Sequence, residues 1–113
     1  RKTSVMDIEK IKQMVQQFPD DGLMQFTLGQ KYYDHDDLTN AKHHLEKAHE
    51  LEPNHLLTHL LLGNIYLSLA DDNKAKTILE RGLNLMPTLP AGQGQDLEPE
   101  FRAVLEELEE DDF

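Results

Sequence analysis

Apolar residues recur at steps of three and four along most of this chain, and prolines interrupt the rhythm at regular intervals. Ile8, Ile11, Val15 and Phe18 make the first stripe, which predicts a helix from Met6 to Phe18. Two longer stripes predict helices over Asp21–Asp34 and His55–Leu69, and two more predict returning helices over Leu38–Leu51 and Asn73–Met86. Asp34-His35-Asp36-Asp37 and Asp71-Asp72-Asn73 are the expected tight polar turns between them. Pro19-Asp20, Pro53-Asn54 and Pro87-Thr88 punctuate the pattern: proline discourages continuation of one helix, and Asp20, Asn54 or Thr88 is placed to cap the next. After Pro87 the register breaks in the loop Pro90-Ala91-Gly92-Gln93-Gly94-Gln95. Leu97, Phe101, Val104, Leu105 and Leu108 then predict a last helix from Pro99 to Leu108, with Glu109 to Phe113 expected to fray. No stretch alternates as a strand would, so the expected fold is all-α.

The helices come in a repeat. Shifting Asn54–Pro87 back by 34 residues lays it on Asp20–Pro53, with Leu62, Gly63 and Tyr66 on Leu28, Gly29 and Tyr32. Ala75, Leu79 and Pro87 fall on Ala41, Leu45 and Pro53, and Lys76, Glu80 and Leu85 fall on Lys42, Glu46 and Leu51. A period of 34 carrying Leu-Gly, a Tyr three residues on, an Ala, a large apolar residue and a closing Pro resembles the tetratricopeptide repeat (TPR) family. The likeness covers about two thirds of the chain. Both copies depart from the family at its Trp slot, which holds Gln25 and His59, and Gly82 stands where the first copy has Ala48. The resemblance implies two helix-turn-helix repeats, 20–53 and 54–87, stacked in a short right-handed solenoid. It also implies that Gly29 faces Ala41, and Gly63 faces Ala75, so that the two helices of a repeat approach closely. Around the repeats, residues 6–19 are expected to be an N-terminal capping helix, 88–96 a loop, 97–108 a C-terminal capping helix and 109–113 an acidic tail. Residues 1–5 are expected to be disordered or a remnant of cloning, with Met6 the natural start.

Charge changes the picture of possible partners. The net charge is −11, and residues 96–113 hold nine acids and one arginine, while residues 1–95 carry a net of only −3. No Lys/Arg cluster is available to neutralise phosphates, so neither nucleic acid nor an anionic membrane surface is an expected partner. There is no Cys, and no apolar run approaches the ~18 residues of a membrane span, which together point to a soluble cytoplasmic protein.

Catalytic chemistry finds no foothold. Serines are limited to Ser4 and Ser68, and Gly92-Gln93-Gly94 opens no helix of the kind a nucleotide site needs. All six histidines lie between His35 and His59, and His55 and His59, one turn apart, could share an ion, but no third ligand has a reason to converge on them. His43 and His44 are expected on exposed parts of their helix. A non-catalytic protein without metal or cofactor is therefore expected, with a His-based metal binder as the distant alternative.

One helix stands out. His55–Leu69 is apolar nearly all round, and such a helix is normally covered on every side. Leu56, Leu62, Ile65, Tyr66 and Leu69 serve the stack, while Leu57, Leu60, Leu61, Asn64 and Leu67 lie on a separate arc. The TPR resemblance assigns that arc to a concave, peptide-binding groove, together with Leu23, Phe26, Gln30, Tyr33 and Asp34 of the first copy. It does not carry over the carboxylate clamp of some TPR domains, because Phe26, Gln30, Leu57 and Leu61 occupy the slots that would hold Lys, Arg or Asn. Three occupants fit an apolar arc: the chain's own C-terminal helix, a partner's apolar or amphipathic segment, and a second copy of the chain. The expected role is an adaptor that binds a protein or peptide in this groove, with a self-associating assembly subunit as the alternative. On that reading Leu60 lies at the centre of an open surface.

Overall fold

The computed structural model describes residues 7–110, and the expectations for residues 1–5 and for the end of the tail lie outside that range. Among the described residues there are six α-helices and no strand: α1 (Ile8–Gln17), α2 (Gly22–Asp34), α3 (Leu38–Leu51), α4 (Leu56–Ser68), α5 (Asp72–Leu85) and α6 (Glu98–Glu110). Short 3₁₀ turns occupy Met86–Thr88 and Gln95–Leu97. The fold is an all-α helical repeat, as expected. Contacts divide the chain into two compact units, Arg1–Pro53 and Asn54–Phe113.

In the first unit α1 starts one or two residues later than its apolar stripe suggested, because Asp7 caps it by accepting from the Lys10 N–H at 3.0 Å. Ile11 and Val15 of α1 pack with Leu28 of α2, and Ile8, Met24 and Tyr32 close around them. The cap of α2 is Asp21 rather than Asp20: its Oδ1 accepts from the N–H groups of both Leu23 and Met24 at 3.1 Å. Pro19 and Asp20 are instead the middle of a turn that the Asp21 N–H closes onto Phe18 O. The corresponding shift in the second unit puts His55, not Asn54, at the start of α4. Thr88 caps nothing either, since its hydroxyl donates back to Leu85 O.

The glycines expected to face alanines meet leucines one turn further on. A Cβ on Gly29 would lie 2.7 Å from Leu45 Cγ, and one on Gly63 would lie 2.5 Å from Leu79 Cδ2. Ala41 and Ala75 are fully buried but are not the nearest neighbours of the glycines. Gly costs about 1 kcal/mol against Ala inside a helix, whereas burying a leucine contributes roughly 1.5–3 kcal/mol. Close approach over Leu45 and Leu79 therefore outweighs the glycine penalty.

Both repeats turn the corner by one device. At the end of α2 the Asp36 and Asp37 N–H groups donate to Tyr33 O and Tyr32 O at 3.0 and 2.9 Å, and at the end of α4 the Ala70 and Asp71 N–H groups donate to Leu67 O and Tyr66 O at 3.0 and 2.8 Å. This is the Schellman arrangement, which needs a left-handed residue after the helix. Asp36 (φ 60°) and Ala70 (φ 61°) take that conformation. Asp37 and Asp71 then cap the returning helices, accepting from Asn40 N–H at 3.2 Å and more loosely from Lys74 N–H at 3.4 Å. Asn40's side chain, and then its backbone, hold the Asp37 carboxyl below the usual carboxylate range. The second polar turn therefore sits at Leu69–Ala70, earlier than expected, and Asp72 and Asn73 already belong to α5.

In the second unit α6 packs on α4 and α5. Phe101 is fully buried there, and a Cβ on Gly82 would stand 2.5 Å from its ring and 3.4 Å from His59 Cβ. Gly82 and His59, both departures from the repeat pattern, thus border one space that the Phe101 ring fills. The loop before α6 is held by Gln95, whose amide nitrogen lies within 3.0–3.3 Å of Met86 O, Leu89 O and Pro90 O, while its Oε1 accepts from Gln93 N–H. Glu109 and Glu110, expected to fray, continue α6.

Ala70 is the one apolar residue held at positive φ among the described residues, a conformation that costs a residue with a Cβ about 1–2 kcal/mol. Ala70→Gly should stabilise the fold by about 0.5–1 kcal/mol, part of the relief being lost to the more flexible unfolded chain. Urea unfolding checks this, and a destabilised variant would show that the Ala70 methyl group packs.

Candidate functional site

The residues singled out from the sequence divide by exposure. On α2, Leu23 is 54% exposed, and Phe26, Gln30 and Tyr33 are half-buried. Leu23 occupies the first turn of α2, where Thr27 Oγ1 donates to its carbonyl at 2.8 Å. On α4, Leu57, Asn64 and Leu67 are half-buried, but Leu60 and Leu61 are only 7% and 8% exposed. Nine of the thirteen residues of α4 are buried. The arc is therefore not an open surface at its centre. Helical spacing gives the direction in which a side chain points but not what lies in that direction, and here Leu60 and Leu61 point into the folded chain.

An apolar cleft does exist, in the first unit. It measures about 310 Å³ and is lined by Ile11 and Met14 of α1 and by Asp21, Leu23, Met24 and Thr27 at the start of α2. Leu23 is the one residue shared by this cleft and the expected arc. Ile11 had been read as core, and Met14 and Met24 carry no signal beyond lying one turn from Ile11 and next to Leu23. Methionine is a flexible lining that adapts to different apolar side chains. Asp21 is the only charged group in the wall, and one of its oxygens is engaged by the cap.

Beside the cleft's helices lies a polar knot in the slot where the repeat pattern wants Trp. Gln25 is 5% exposed; its Nε2 donates to Pro19 O at 2.8 Å, and its Oε1 lies 2.9 Å from His44 Nδ1. A carbonyl oxygen can only accept, so Gln25 must turn its NH₂ to Pro19, and its Oε1 then requires the hydrogen on His44 Nδ1. His44 also stacks on Tyr32, with ring centroids 5.7 Å apart, and meets His43 edge-on at 4.8 Å. His44 is thus half-buried and tied to α2, not exposed as expected, while His43 is exposed. Burial, then the nearby His43 and Lys12, push the His44 pKa down.

The His55–His59 pair is engaged in structure. His55 Nδ1 lies 2.7 Å from Thr58 Oγ1, and His59, fully buried, directs Nδ1 at His55 O at 3.0 Å. Among the described residues no three His, Asp or Glu side chains are grouped to hold a metal ion, and no helix is long and apolar enough to cross a membrane.

Comparison with known proteins agrees with the geometry. A family model described as tetratricopeptide repeat matches residues 32–94, more than half of the chain. The solution structure of protein BPP2914 from Bordetella parapertussis is similar at 27% sequence identity, with a TM-score of 0.77 over 96% of this chain and 92% of that one. Among curated proteins nothing matches.

Two outcomes follow from the burial of Leu60 and the placement of His44. Leu60→Asp sets a charge in an apolar interior and should cost about 3 kcal/mol or more in denaturant melts, the reverse of what an open arc would give. A loss under about 0.5 kcal/mol would restore the open arc. For His44, a depressed folded pKa means that the unfolded chain binds the proton more readily. Stability is then complete above the ordinary value of 6.5 and falls as the pH drops from there toward the lower folded value. Urea melts on either side of pH 6.5 should show this decline, and His44→Gln, which keeps an N–H donor toward Gln25 without a titrating ring, should make it shallower.

Proposed function

The chain belongs to the tetratricopeptide repeat family, whose repeats are in general non-catalytic protein-interaction modules, and on that premise we propose that it is an adaptor that docks an apolar or amphipathic segment on the exposed side of α2. The observation that carries this reading is Leu23, 54% exposed at the edge of an apolar cleft between α1 and α2. A single exposed leucine is ordinary on a protein surface. A leucine that continues into a concavity of Ile11, Met14 and Met24 is a different matter, because apolar concavities are where ligands lose the most water-exposed surface.

Phe26, Gln30 and Tyr33, at steps of three and four along α2, extend the contact surface from Leu23 toward the end of the helix. On α4, Leu57, Asn64 and Leu67 remain partly accessible and are proposed as further contact positions, whereas Leu60 and Leu61 support them from beneath. Nothing in this surface supplies cations for a peptide's terminal carboxylate, so an internal apolar segment suits it better than a free C-terminus.

Leu23→Asp tests the reading. An acid in the first turn of a helix is well tolerated, and the position is exposed, so stability should stay within about 0.5 kcal/mol. Affinity capture from native lysate, read by mass spectrometry and followed by titration of each captured protein against both forms, should show binding weakened at least tenfold by the substitution. Unchanged affinities for every captured protein would remove α2 as the docking element.

A further inference from the structure

We propose that the segment taken up by the α1–α2 cleft is a helix that carries a lysine or arginine beside its apolar stripe, with the cation against Asp21. The inference rests on the docking reading above and adds the conformation and charge of the partner. Conformation follows from the walls. Both are α-helices, whose backbone N–H and C=O groups are bonded within the helix, so the cleft has no ladder to offer an extended strand. An extended segment lying there would leave its own peptide groups facing Ile11, Met14 and Met24. A helix arrives with those groups already bonded and presents only side chains. Methionines at 14 and 24 can adjust to side chains of different shape along the partner's stripe.

Charge follows from the one ionic group in the lining. Asp21 Oδ1 receives two N–H groups from the start of α2, which leaves the second oxygen for a ligand. An apolar partner laid over this carboxylate would strip its water without replacing it, whereas a lysine or arginine would exchange water for a charged hydrogen bond. The chain's net charge of −11 also favours approach of a basic partner.

The experiment uses the full chain and three labelled synthetic amphipathic helical peptides that share one Leu/Met face and carry Lys, Gln or Glu beside it. Fluorescence anisotropy should place the Lys peptide about 3–10-fold tighter than the Gln peptide, and the Glu peptide weakest. Asp21→Asn keeps the cap, since Asn caps a helix about as well as Asp, and should bring the Lys peptide down to the Gln level. Leu23→Ala should weaken all three. Equal binding of the Lys and Gln peptides, both lost on Leu23→Ala, overturns the cation while leaving the docking reading in place. Lys-peptide binding that survives both substitutions is attraction to acids elsewhere and overturns the proposal. Failure of all three peptides to bind overturns it together with the docking reading. A chain that forms dimers in a dilution series, lost on Leu23→Ala, has a second copy on the cleft, and that outcome also overturns it.

Discussion

Everything in each repeat depends on two helix backbones lying close enough for a leucine of one to rest on a glycine of the other. Leu45 sits against Gly29 and Leu79 against Gly63, at distances that leave no room for a Cβ. That contact sets the separation of the helices, and the separation in turn decides how far each side chain reaches. Ala41, Ala48 and Ala75 are small because they lie within the same narrow seam, where all three are fully buried. The cost of a glycine inside a helix is about 1 kcal/mol, and a buried leucine more than offsets it. Without the seam there would be no flat pair of helices for α1 or α6 to cover.

The seam works only if the chain reverses at the right point. Asp37 and Asp71 each serve both helices at once, closing the first with an N–H and opening the second with a carboxylate. The left-handed residue just before each of them, Asp36 or Ala70, is the strain that the reversal requires. Aspartate tolerates that conformation better than alanine, because its short polar side chain can bond locally. The two repeats thus share one geometry at unequal cost.

Where the repeats differ, they differ in the slot that the family pattern gives to Trp. In the first unit Gln25 fills it and takes hydrogen-bond partners from Pro19 and His44, which makes that interior polar and sensitive to protonation. In the second, His59 and Gly82 leave a space that Phe101 occupies. A missing large ring has been replaced once by a hydrogen-bond network and once by an aromatic side chain from α6. The first solution leaves α1 and the start of α2 with an apolar cleft and an exposed Leu23. The candidate site lies there, away from the most hydrophobic helix.

Local spacing was enough to read the six helices, the repeat and the family, because a 3.6-residue period and a 34-residue period are properties of the sequence itself. Leu23 was legible for the same reason, as a residue on the side of α2 away from its core stripe. The caps at Asp21 and His55 and the turn at Leu69–Ala70 were placed one or two residues off, since several neighbouring polar residues could each have served and only backbone geometry chose among them. The glycine partners were misassigned by one turn, because helix pairing depends on relative rotation as well as order. Leu60 and Leu61 were misread for the deepest of these reasons: burial is a relation between residues far apart in the chain, and a helical wheel holds only one helix. What covers a leucine, and whether Met14 and Met24 enclose a cleft or fill a core, was decided by tertiary packing alone.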